Sequence, residues 1–184
     1  MAAVESNMLP LGTIAPDFDL VDVVSGERFT VEDVRQEYGL VVMFICAHCP
    51  YVRNIEEEIV IIANQYADSK IGFVAISSND PSAYPEDSPE GLKKQAEELE
   101  FPFPYLFDES QEVAKAYQAA CTPDFYLFDE DLKCVYRGRF DASTPGNPEP
   151  VTGDDLVSAI EAHLEDEPPL DPQHPSVGCS IKWK

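Results

Sequence analysis

Basic residues are scarce in this chain: 12 lysines and arginines stand against 35 aspartates and glutamates, a net charge of −23. So negative a surface repels phosphate backbones and anionic headgroups, which excludes nucleic acid and membranes as expected partners. The charge reads chiefly as a solubility device. Long apolar runs are also lacking, none approaching the roughly 20 residues of a membrane span. The first ten residues have neither the basic start nor the apolar core of a secretory signal, so a cytoplasmic, reducing setting is expected. Histidine occurs at three positions and tryptophan only at Trp183. The five cysteines, an odd count, argue against a disulfide scaffold and for a few reactive thiols among inert ones. The remainder is ordinary: 184 residues, 44% apolar and 26% charged, enough for one domain with a sizeable core.

The chain is organised around residues 40–52, an apolar run that stops at two thiols and a proline. It reads as a buried strand that delivers sulfur to a helix start. Pro50 suits the first helical position, where its fixed φ fits and its missing N–H is not needed. Cys49 then falls at the N-cap, where free amides and the helix dipole favour an anion, so it should ionise below the pKa of about 8.5 of a free thiol.

On either side the pattern is of alternating strands and helices. Residues 17–23 and 28–30 flank a Ser25-Gly26 turn and form an expected N-terminal hairpin, and Thr30 with Asp33 starts a short helix through Tyr38. From Pro50 to about Asp68, Ile55, Ile59, Ile62, Ala63 and Tyr66 recur at helical spacing, which predicts one long helix. A strand at 71–77, a polar loop at 78–87, a helix from Ser88-Pro89, a strand at 104–107 and a helix at 112–120 follow. A hairpin (124–128 and 133–137), a Pro/Gly/Ser-rich loop at 141–150 and a helix capped by Thr152 and Asp155 close the domain at 1–165. Residues 166–184 form a proline-rich tail expected to pack on the domain, anchored by Trp183 and bringing Cys179 back to the site. The alternation argues for an α/β sandwich whose mixed sheet has a parallel centre.

Three stretches carry a resemblance: 12–18 (Gly-Thr-Ile-Ala-Pro-Asp-Phe), 44–50, and Thr122-Pro123 before a strand. With the ending 175–184, they resemble the thioredoxin superfamily, most closely its peroxiredoxin-like branch labelled alkyl hydroperoxide reductase and thiol-specific antioxidant. The resemblance implies a thioredoxin-like three-layer sandwich, a central mixed sheet flanked by helices. It puts Cys49 where thioredoxins keep their attacking cysteine and Val52 where they keep the second. Cys46, three residues upstream, is the nearest replacement. The proline and the threonine or serine that precede a peroxidatic cysteine are replaced by Val42 and Cys46, and the buried acid of thioredoxins by Met43. Pro123 resembles the superfamily's cis-proline facing the attacking cysteine, with the backbone at Thr122 free to pair with an extended substrate beside Pro50.

Three readings follow. In the first, Cys49 attacks a protein or small-molecule disulfide and a second thiol, Cys46, Cys121 or Cys179, resolves the mixed disulfide, with an external thiol as reductant and no cofactor. His48 serves there to lower a thiol pKa or relay protons, and Cys134 is structural. In the second, Cys49 reduces a peroxide and passes through a sulfenic acid. In the third, Cys46, His48, Cys49 and Cys179 hold a soft metal without catalysis.

Overall fold

The computed structural model describes residues 3–184. The chain runs through β1 (Ala3–Glu5), β2 (Asp19–Asp22), β3 (Arg28–Thr30), α1 (Val31–Val34) and β4 (Gly39–Phe44). Then come α2 (Pro50–Arg53), α3 (Glu56–Gln65), β5 (Ile71–Ser77), a 3-10 turn at Pro85–Asp87, and α4 (Pro89–Glu98). The second half holds β6 (Tyr105–Phe107), α5 (Glu112–Ala116), β7 (Cys121–Thr122), β8 (Asp124–Phe128) and β9 (Cys134–Gly138), ending with α6 (Asp154–Leu164) and β10 (Val177–Ser180).

Seven strands form one sheet in the order β3-β2-β6-β5-β4-β8-β9. β4 lies parallel to β5, and β5 to β6, while β8 and β9 add antiparallel, so the sheet is mixed around a parallel centre. Because side chains alternate along a strand, the continuous apolar run of β4 supplies both faces. Val41 and Met43 pack with Ile59, Ile62 and Ala63 of α3, Leu92 of α4 and Leu156 of α6. Leu40, Val42 and Phe44 pack with Val31 of α1 and with Val113 and Ala114 of α5. Two helical layers around one sheet give the thioredoxin-like sandwich. No helix among the described residues is long and apolar enough to cross a membrane.

Four local expectations are corrected. The helix after Cys49 is not continuous: Ile55 leaves helical geometry at φ −122°, ψ −6°, and Glu56, Glu57 and Glu58 form a new first turn, where acids suit the helix dipole. α1 stops at Val34 rather than Tyr38, because Gln36 and Gly39 pair with each other instead. α6 is capped by Gly153 at φ +68°, not by the Thr152–Asp155 box; Asp155 is drawn to Arg139 at 2.5 Å, and Asp141 accepts from the amides of Thr152 and Gly153, both at 2.8 Å. Finally, Trp183 is 45% exposed and does not anchor the tail. Backbone pairing does that work: β10 lies between β1 and β7 in a second, three-stranded sheet, and Ser176, Cys179 and Ile181 are the buried side chains.

Candidate active site

Beyond β4, Ile45 donates to the Ile76 carbonyl at 3.1 Å, and the chain then turns through Cys46, Ala47 and His48 to Cys49. Cys49 is the N-cap of α2 and Pro50 its first residue. The turn is pinned from both sides. Arg53 Nε donates to the Ala47 carbonyl at 2.8 Å, while the amides of Ala47 and His48 donate to Asp87 Oδ1 at 2.9 and 3.0 Å.

Cys46 and Cys49 are 0% exposed, and Cys179, arriving on β10, is 2% exposed. Cys49 is the acidic one of the three. Donation from the Cys46 thiol is the largest cause, working against burial; the Cys179 thiol and the amides of Val52 and Cys179 add to it, and together they bring Cys49 down to about 5. Its neighbours move the other way. Burial first, then Cys49 and the Asp87 charge, hold Cys46 well above the ordinary thiol range. Burial and the Cys49 sulfur push Cys179 up to about 12. α2 has only four residues, so individual donors rather than a helix dipole stabilise the anion.

Thr122–Pro123 is cis, and the Thr122 carbonyl lies 3.3 Å from Cys49 Sγ. Thr122 Oγ1 lies 3.2 Å from Cys46 Sγ. The backbone here is not free for a substrate. β10 pairs antiparallel with β7, placing Cys179 opposite Thr122 and Ser180 opposite Cys121, so the chain's own tail occupies the edge expected to receive an extended peptide. The approach is tight enough that a Cβ on Gly178 would stand 2.0 Å from the Thr122 carbonyl oxygen.

His48 stacks on Tyr84, with ring centroids 3.9 Å apart, and its Nδ1 lies 3.7 Å from Cys46 Sγ and 2.5 Å from Asp87 Oδ2. Cys46, His48 and Asp87 thus present possible metal-ligand atoms within 4.8 Å of one another. The 2.5 Å contact is a hydrogen bond between the His48 ring and the Asp87 carboxylate. Cys121 donates to the Pro123 carbonyl at 3.8 Å, and burial, with Asp124, Cys49 and Cys179 adding to it, raises its thiol; Cys134, in the second core cluster, donates to the Tyr136 carbonyl at 3.3 Å and is raised by burial.

The sequence reading missed Asp87, which hides in a Pro-Glu-Asp-Ser-Pro stretch that reads as a helix start, and Asn79 and Gly178, which nothing local distinguishes.

Fold and buried thiol cluster together define a thioredoxin-like redox protein. The chain belongs to the AhpC/TSA family, whose pattern matches residues 11–137. An uncharacterized conserved protein from Geobacillus kaustophilus is 59% identical, with a TM-score of 0.98 over 100% of this chain and 97% of its own. A hypothetical protein from Sinorhizobium meliloti is 44% identical, with a TM-score of 0.95 over 98% of each chain. The thioredoxin domain of a thiol-disulfide oxidoreductase from Bacteroides vulgatus shares the fold at 22% identity, with a TM-score of 0.64 over 85% of this chain and 99% of that one. No curated protein matches.

Proposed function

We propose that the chain is a thiol–disulfide oxidoreductase in which Cys49 is the nucleophile and Cys46 the resolving thiol, with Cys179 as a second thiol beside the same sulfur. What carries this reading is the arrangement of three buried thiols at one helix start: Cys49 caps α2 ahead of Pro50 against the cis Thr122–Pro123 bond, with the Cys46 and Cys179 thiols beside it, and it is the one of the three whose acidity is raised. Cys49 thiolate attacks one sulfur of a substrate disulfide; that S–S bond breaks, and the other sulfur leaves as a thiolate and takes up a proton. Cys46 then loses its proton and attacks Cys49 Sγ, releasing the second substrate thiol. The protein ends as a Cys46–Cys49 disulfide, oxidised by two electrons, and an external thiol reductant restores it. Cys46 suits the second step because the Cys49 charge, which helps keep it protonated, disappears once Cys49 is in the mixed disulfide. Neither step uses a cofactor.

The test is mass mapping after one equivalent of oxidised glutathione. A Cys46–Cys49 disulfide is expected, together with loss of turnover in Cys49→Ser. Glutathione retained on Cys121 or Cys134, or turnover in Cys49→Ser, sinks the reading. One observation favours a second: Cys49 has no exposed surface. A small peroxide would reach it more readily than a protein disulfide, and its O–O bond would be cleaved to an alcohol and a Cys49 sulfenic acid, which condenses with Cys46 or Cys179 and loses water. Stopped-flow rates with peroxide against disulfide separate the two.

A further inference from the structure

Asp87 is 0% exposed, and four donors converge on its carboxylate. Oδ1 takes the Ala47 and His48 amides; Oδ2 takes Asn79 Nδ2 at 2.8 Å and His48 Nδ1 at 2.5 Å. Two of these donors are the backbone that separates Cys46 from Cys49. A third, Asn79, accepts the Lys182 amide on its own oxygen at 2.8 Å and so ties the tail to the same group. Against the burial that opposes it, donation from His48 and Asn79 keeps the carboxyl below its usual range, so it is charged at neutral pH. Cys46 Sγ belongs to the cluster within 4.8 Å; Cys49 does not.

A charge that water cannot screen opposes a second charge of the same sign close by. We infer that Asp87 is a positioning residue that assigns the nucleophile: it fixes the Cys46–Cys49 turn, and its charge leaves Cys46 the hydrogen-bond donor and Cys49 the anion. The inference rests on the thiol-exchange reading of this site, yet its test needs no substrate. The groups that face Cys46 are His48 of the same turn, Asp87 of the 3-10 turn, Cys49 at the start of α2, Thr122 of β7 and Tyr105 of β6. Tyr105 donates to Gln95 Oε1 at 3.2 Å and burial keeps it protonated, so Asp87 supplies the negative charge.

The experiment labels the full-length reduced protein with [13Cβ]cysteine and follows the resonances against pH, assigned through single Cys→Ser variants. In the parent, Cys49 titrates well before Cys46. In Asp87→Asn the Cys46 midpoint should fall by about one pH unit or more, and Cys46 should take a visible share of the first titration. Asp87→Glu keeps the charge and should keep Cys46 late. Asp108→Asn removes another buried carboxylate, which accepts from Ser78 and the Ala114 amide; it should lower stability and leave Cys46 unmoved. An unmoved Cys46 in folded Asp87→Asn, or an equal movement in Asp108→Asn, overturns the proposal. If Asp87→Asn does not fold, Asn79→Ala leaves the charge with one donor fewer and should raise the Cys46 midpoint; an unchanged or lower midpoint refutes it. Turnover in Cys49→Ser bears on the exchange reading alone, so the two failures are distinguishable.

Discussion

Gly178→Ala is the sharpest probe of the tail. A Cβ there would meet the Thr122 carbonyl oxygen at 2.0 Å, its carbon at 2.7 Å and Pro123 Cδ at 3.2 Å. The first two are backbone atoms held by β7 and by the proline ring, so the added carbon must push β10 outward by more than an ångström. Overpacking of this kind costs about 1–3 kcal/mol. The strain can be relieved locally, because the strand that moves is short. The site would then open by the same free energy, about 5- to 150-fold in the reactivity of Cys49 toward a disulfide reagent. If the tail holds and the whole domain bears the strain, the melting temperature should fall by roughly 2–10 °C. The assay is the rate of thiol labelling with a bulky aromatic disulfide, read beside a thermal melt. A variant that melts like the parent and labels no faster would refute the reasoning, since the contact would then carry no load.

Iodoacetamide labelling of Cys49 should be half-maximal near pH 5, following its lowered value; a midpoint above 8 removes the acidic thiol. Cys134→Ala should cost about 1 kcal/mol through a small cavity and leave turnover unchanged, since Cys134 is 1% exposed in the second core cluster; loss of turnover would place it in the chemistry. Asp124 is 1% exposed, and burial raises its carboxyl to about 7, against about 3.9 unfolded. The folded protein therefore holds this proton more tightly than the unfolded one, and the resulting stability is present below pH 4 and lost as pH rises through 7. That amounts to a few kcal/mol at most. Urea midpoints of parent minus Asp124→Asn should show this slope; a flat difference between pH 4 and 8 rules it out.

The central architecture was legible because it is written in periodicity. The unbroken apolar run of β4, the spacing of Ile59, Ile62, Ala63 and Tyr66, and the Ser88-Pro89 start of α4, where Ser88 Oγ accepts from Gly91 N at 3.2 Å, each carry their own local signal. Cys49 was readable for the same reason, since a thiol before Pro50 needs no tertiary knowledge. The helix break at Ile55 had a signal in the three glutamates, masked by a hydrophobic pattern that runs straight through it. What stayed hidden depends on partners far away in sequence. β1 and β10 are too short to show alternation, and they are strands because they pair with each other and with β7. Asp87 looks like any surface acid until folding sets it under the amides of Ala47 and His48. Trp183 misled because size was taken for anchorage, when the hydrogen bonds of Lys182 to Asn79 and of Lys184 to Gln111 Oε1 at 2.9 Å hold that end.

The arrangement of β10 also orders events in time. At ~5–20 residues per second of synthesis, the strand that roofs Cys49 emerges on the order of ten seconds after the cysteine itself. During that interval the emerging chain carries an unroofed pair of thiols that later become inaccessible, and β1 waits beside them for a neighbour. Oxidants and chaperones in the cell therefore meet a different surface from the one the finished molecule presents.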